Sequence, residues 1–154
     1  LMSLTSEAKL ADLLVFSQLS VHSKKRIFES AAEAFSDVSG LSREAVYRGL
    51  LDREKLGSTA LGDGVAIPHC RIDECNAPLG CLITLNNPID FSSSDGQGVD
   101  IVLVLLVPSQ AAKEHLDLLA GAATLLSNEQ TRLAIREAVE PVDLTEIVVK
   151  SGLL

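Results

Sequence analysis

Tryptophan is absent from this 154-residue chain, tyrosine and methionine occur once each, and aromatic residues make up 3% of it. Its interior therefore cannot be assembled around large rings. With 47% hydrophobic residues, the core is expected to be Leu, Val, Ile and Ala. The length suits one domain with a sizeable core, so residues 1–154 are read as a single domain. Positive charge is scarce: 13 Lys and Arg against 21 Asp and Glu leave a formal charge of −8. That balance argues against a nucleic-acid or anionic-membrane partner, because phosphates select for Lys and Arg. A basic protein partner stays open. No apolar run approaches the ~18–20 residues of a membrane helix, and no basic-then-apolar leader opens the chain. A cytoplasmic location is expected. Three cysteines, an odd number, fit a reducing compartment better than a disulfide framework. Internal repeats, low-complexity tracts and long linkers are missing.

What remains is an alternation of periodic segments. Residues 7–14 read as a short helix with Leu10, Leu13 and Leu14 on one side, and 15–19 as a strand. Ser23 is a candidate N-cap for a helix to about residue 38, with Ile27, Ala31 and Phe35 on one stripe beside Phe28 and Ala32. Gly40 ends it. Ser42 opens a second helix to about residue 54, with Ala45, Val46 and Leu50 inward. Residues 79–85 and 100–107 read as strands; the second is apolar on both faces and so central. Between them the turn-rich stretch 86–98 is a hairpin-like or irregular link. Residues 111–126 predict an amphipathic helix through Leu116, Leu119, Ala122, Ala123 and Leu126. Ser127 with Gln130 resembles a capping box for a helix to about residue 139. Pro141 breaks it, and Asp143 with Glu146 caps a last short helix. Strands interleaved with helices indicate a layered α/β domain.

The densest signal is residues 53–71, REKLGSTALGDGVAIPHCR. Val65, Ala66 and Ile67 suit a short buried strand. Pro68 has no N–H for a ladder and stops it, so His69 is presented where the chain leaves the sheet, a usual place for working residues. Gly62 and Gly64 permit a tight turn and the close approach of a partner or phosphate. Neutral imidazole is a good nucleophile near pH 7. His115, Arg53, Ser58 and Thr59 are candidate donors to charged oxygens. Each has a plainer reading: His115 at a helix start, Arg53 in a solvated helix end, the hydroxyls shaping a turn. His69, Cys70, Asp73, Glu74 and Cys75 are metal-ligand types, but their spacing matches no zinc pattern and no metal is expected. Cys81 reads as packing. The Ser23-Lys24-Lys25-Arg26 segment, cationic in an acidic chain, is either a solvated helix start or an interaction site.

Glu54, Leu61-Gly62 and Val65-Ala66-Ile67-Pro68-His69, over about sixteen positions of fixed spacing, resemble the active-site signature of phosphotransferase-system IIA proteins. The class is that of fructose, mannitol and nitrogen regulation. The resemblance implies a mixed central sheet flanked by helices on both faces. It makes His69 the phosphoryl acceptor and His115 a hydrogen-bonding partner of the phosphoryl group, and it favours Ser58 slightly over Thr59. No cofactor is implied. Cys70 departs from the pattern, standing where the family has a small residue, often glycine, and puts a thiol beside the imidazole. The segments SKKR and REKLGST look more like the nitrogen-regulatory branch, in which an HPr-type phosphocarrier donates and kinase or transporter proteins are regulated. The alternatives are a sugar-specific IIA component that passes the group to a IIB domain, and a non-enzymatic interaction module.

Overall fold

The computed structural model describes residues 9–110 and 112–154. At its centre lies β6 (Val99–Pro108), whose sequence VDIVLVLLVP is buried for most of its length. Such a run fits a strand covered on both faces. Its neighbour on one side is β5 (Leu79–Ile89), antiparallel, with Leu82 opposite Leu103. Beyond β5 lies β1 (Asp12–Leu19), parallel to it from Asp12 opposite Leu79. The other side of β6 takes two short parallel strands in succession: β3 (Val65–Ala66) opposite Ile101–Val102, and β4 (His69–Ile72) opposite Leu105–Pro108. β2 (Ala60–Gly62) pairs antiparallel with β3 and completes a six-stranded mixed sheet.

Among the described residues, five helices cover it. α1 (Lys24–Ser39) and α2 (Arg43–Lys55) pack on one face. α3 (Ala112–Ser127), α4 (Glu129–Glu137) and α5 (Pro141–Lys150) pack on the other. The expected mixed sheet with helices on both faces is the observed architecture. Strand alternation divides the core in two. Ala66, Cys70, Ile72, Val102, Val104 and Leu106 face α1 and α2, whereas Val65, Ile67, Ile101, Leu103, Leu105 and Val107 face α3–α5. The first two caps form as read from the sequence: Ser23 accepts from Arg26 N and Ser42 from Ala45 N, while Gly40 closes α1 with φ 76°.

Several local expectations give way to tertiary pairing. The helix read at 7–14 is not formed over its described part; residues 12–14 belong to β1, and residues 7 and 8 lie outside the described residues. Leu13 and Leu14 point to opposite faces of the sheet, so what reads as one helical stripe is two sides of a strand. β5 runs on to Ile89 and shortens the irregular link. Asn128, not Ser127, caps α4, its Oδ1 accepting from Thr131 N at 2.9 Å. α5 starts at Pro141, which is preorganised for a first helical position. In α3 Leu116 is 66% exposed and Leu118 takes the buried place.

Candidate functional site

Pro68 notches the sheet edge without ending it. Its carbonyl accepts Leu105 N at 2.9 Å, and the strand resumes at His69. The expectation that His69 sits where the chain leaves the sheet is therefore corrected: it is the first residue of β4. The reason is register, since a proline without an N–H is tolerated where that N–H would face away from the partner strand. Alternation then fixes the side chains. His69 and Arg71 lie on the face of α3–α5, and Cys70 and Ile72 on the face of α1 and α2. The Cys70 sulfur packs against Gly49 of α2, where an added Cβ would meet it at 2.9 Å. The thiol is thus not beside the His69 imidazole but across the sheet. Burial raises it to about 12, which keeps it protonated and inert.

His69 is half-buried, and its Nδ1 lies 2.8 Å from the Ile67 carbonyl. A carbonyl only accepts, so Nδ1 carries the hydrogen and Nε2 keeps the free lone pair. Ile67 is itself held, its N–H donating to the Thr59 carbonyl at 3.0 Å. Burial is the main influence on the imidazole and lowers its pKa from 6.5; the Ile67 bond opposes this, the Arg53 cation adds to it and Glu54 opposes it. His69 is neutral at pH 7 in consequence.

His115 comes from α3. Its stripe, with Leu118, Ala122 and Leu126, faces the sheet, and it is 7% exposed. The two imidazoles meet edge to face, 5.8 Å between centroids at 83°. Arg71 Nε donates to His115 Nδ1 at 3.4 Å. His115 is also held below 6.5, by burial first, then by His69 and Arg71. Of the residues singled out from the sequence, the structure thus brings His69 and His115 together, with Arg53 near enough to act on the first. Arg53 Nη1 also donates to Gly57 O at 2.9 Å, fixing the turn after α2.

The two hydroxyls have other partners. Ser58 Oγ donates to the Phe91 carbonyl. Thr59 is buried, with its N–H and Oγ1 donating to the two Glu54 oxygens at 3.1 and 2.7 Å. Glu54 also takes Lys24 Nζ at 3.1 Å, and Lys24 stands 4.9 Å from the Phe91 ring. This accounts for one cation of the SKKR segment, and Arg26 pairs with Glu29. The space at Gly62 and Gly64, two of three consecutive residues with positive φ, is filled from within the chain. Arg136 binds the Asp100 carboxylate and donates to Asp63 O at 2.7 Å. A Cβ on Gly64 would meet Arg136 Nη2 at 2.5 Å. A Cβ on Gly62 would instead meet Asp95 Oδ2 at 3.2 Å, the oxygen that accepts Asp63 N at 2.9 Å, so each glycine makes room for a side chain of this protein. Among the described residues no three candidate metal ligands gather, and no helix is long and apolar enough to cross a membrane.

The residues that sequence reasoning missed are Arg71 and the structural role of Glu54. Arg71 is two positions past His69, which puts it on the same face once β4 is recognised as a strand. Glu54 stands in the signature, but nothing local announces that its partners are Lys24 and Thr59.

An open mixed sheet of this topology is that of the IIA class of phosphotransferase proteins. The chain belongs to the family described as "Phosphoenolpyruvate-dependent sugar phosphotransferase system, EIIA 2", whose model matches residues 9–151. Within it, the chain is similar to the Nitrogen regulatory protein of Pseudomonas aeruginosa, at 41% identity over 128 residues, 82% of this chain and 83% of that one. The crystal structure of Nitrogen Regulatory Protein IIA-Ntr from Neisseria meningitidis superposes with a TM-score of 0.80 at 35% identity, covering 94% of each chain. IIA mannitol from Escherichia coli shares the fold, with a TM-score of 0.74 at 19% identity over 87% of this chain and 94% of that one.

Acidification should reveal the burial of the histidines. Both folded-state pKa values lie below the unfolded value near 6.5, so between them the unfolded chain binds more protons. Stability contributed by the neutral rings is complete above pH ~6.5 and is lost as pH falls toward the folded values. The His69 ring, followed by NMR, is expected to titrate below 6.5; a midpoint above that value would contradict the site described here.

Proposed function

We propose that the protein is a cytoplasmic phosphoryl carrier of the nitrogen-regulatory IIA type, one domain over residues 1–154, that accepts a phosphoryl group on His69 Nε2 from an HPr-type histidine phosphocarrier. The observation that carries the reading is the Nδ1–H···O=C bond from His69 to Ile67, which leaves Nε2 with a lone pair in a neutral ring. In the transfer, Nε2 attacks phosphorus and the N–P bond forms. The bond to the donor nitrogen breaks and its electron pair stays with the donor. The Nδ1 proton remains where it is, stabilised by the Ile67 carbonyl, so the phosphorylated ring carries positive charge and is a good leaving group for onward transfer. Phosphoryl transfer has a loose transition state, and positioning with charge stabilisation supplies most of the catalysis. His115 donates from Nε2 to a phosphoryl oxygen and Arg53 offsets its charge. Ser58 and Thr59 support the loop that presents His69. Phosphorylation adds charge and acceptor oxygens to a surface that binds regulated kinase or transporter proteins, and so switches their binding.

The fold shared with IIA mannitol supports a second reading, a sugar-specific component. Incubating the phosphorylated protein with IIB domains separates the two. The regulatory reading expects label to stay on His69 and partner binding to change with phosphorylation. Efficient transfer to a IIB domain, or identical partners captured in both states, would overturn it.

A further inference from the structure

The two histidines are oriented by different bonds with opposite consequences. His69 donates from Nδ1 to a carbonyl, so its free Nε2 is a lone pair. His115 accepts at Nδ1 from a guanidinium N–H, which never gives up its proton at physiological pH. Its Nε2 must then carry the hydrogen. The pair is thereby matched as acceptor and donor without a proton having to move between them.

Arg71 is the source of that match. It is exposed on β4, two residues past His69 and opposite Val107, and its Nε reaches His115 Nδ1 on α3. The 3.4 Å separation is long, as hydrogen bonds in unoccupied sites often are before they tighten around the reacting group.

We propose that Arg71 is a positioning residue for phosphoryl acceptance, holding His115 in the Nε2–H tautomer that donates to the phosphoryl group on His69. This rests on the reading of His69 as acceptor, but the tautomer itself is a property of the unphosphorylated protein. Without the guanidinium, no other donor to Nδ1 stands among the described residues, the ring populates both tautomers, and in one of them a lone pair faces the phosphoryl oxygens.

The test uses the full chain labelled with 15N-histidine, as wild type, Arg71→Met and Arg71→Lys. In wild type, His115 should show a single Nε2–H tautomer, and in Arg71→Met a mixture. With a phosphorylated HPr-type carrier, Arg71→Met should take label five- to ten-fold more slowly at saturating carrier, roughly the loss of one oriented hydrogen bond, with the half-saturating carrier concentration little changed. Arg71→Lys should recover part of the rate and of the tautomer preference. An unchanged His115 tautomer in a folded Arg71→Met protein would overturn the proposal, as would an effect confined to half-saturation, which would make Arg71 a docking residue. If wild type takes no label on His69, the acceptor reading fails, while the tautomer comparison still decides the role of Arg71.

Discussion

Replacing His69 with alanine is expected to abolish phosphoryl labelling by a phosphorylated HPr-type carrier, a loss of at least ~1,000-fold set by the absence of any nucleophile at that position. Two features of the site require it. The other imidazole in contact, His115, has its Nδ1 engaged by Arg71 and its Nε2 occupied by hydrogen, so it presents no lone pair for attack. The nearby thiol, Cys70, lies across the sheet and is held protonated. His115→Ala, by contrast, should keep the acceptor and lose a donor, leaving labelling on His69 but slowing it ~10- to 100-fold, the scale of a removed transition-state hydrogen bond. Mass-spectrometric mapping of acid-labile phosphate in each variant checks both. Label retained in His69→Ala and lost in His115→Ala would reverse the assignment.

The second large effect concerns stability. Glu54 is buried at the end of α2 and accepts three hydrogen bonds, from Lys24 Nζ, Thr59 N and Thr59 Oγ1. Glu54→Ala deletes the acceptor for all three at once. It strands a buried amide and hydroxyl, each costing about 1–3 kcal/mol when unpaired. Water reaching the partly exposed Lys24 softens its share. A loss of about 2–4 kcal/mol is expected, read as a lower denaturant midpoint with an unchanged slope. Glu54→Gln retains an acceptor oxygen for Thr59 and should lose less. Since the Thr59 carbonyl holds Ile67 N–H and the Ile67 carbonyl holds His69, the same substitution should loosen the His69 ring and slow labelling beyond any effect of folding. If Glu54→Ala is as stable as wild type, the Lys24–Glu54–Thr59 cluster is not what holds this loop.

Much of this was legible from local pattern. Ser23 and Ser42 announce helix starts because a side-chain oxygen satisfies an N–H that the helix leaves unpaired, a bond made within three residues. β6 announces a central strand because nothing but burial on both faces tolerates VLVLLV. His69 stands out through a signature whose spacing is fixed by the fold. Residues 10–14 misled because three apolar residues in a short window, Leu10, Leu13 and Leu14, satisfy either period, and pairing with β5 decided for strand. Pro68 misled for a related reason. Whether a proline ends a strand or notches it depends on which way its missing N–H would have pointed, a matter of register with β6.

The amino-acid sequence by itself determined the layered α/β class and the acidic balance, and it singled out the histidine that accepts the group in the proposed reaction; the expected core of Leu, Val, Ile and Ala is corrected by Phe28, Phe35 and Phe91, which are fully buried in it. The first two follow from composition and from the period of the apolar residues, the histidine from the spacing of a signature that resembles that of a family. The tertiary structure alone decided what surrounds that histidine. It placed Cys70 out of reach, filled the glycine turn with Asp95 and Arg136, joined Glu54 to Lys24 thirty positions away, and set Arg71 against His115 across forty-four. Such pairings depend on strand register and on which face of the sheet a side chain takes, and a shift of one residue reverses the face. No local pattern carries that information, because the partners meet only after the sheet has formed.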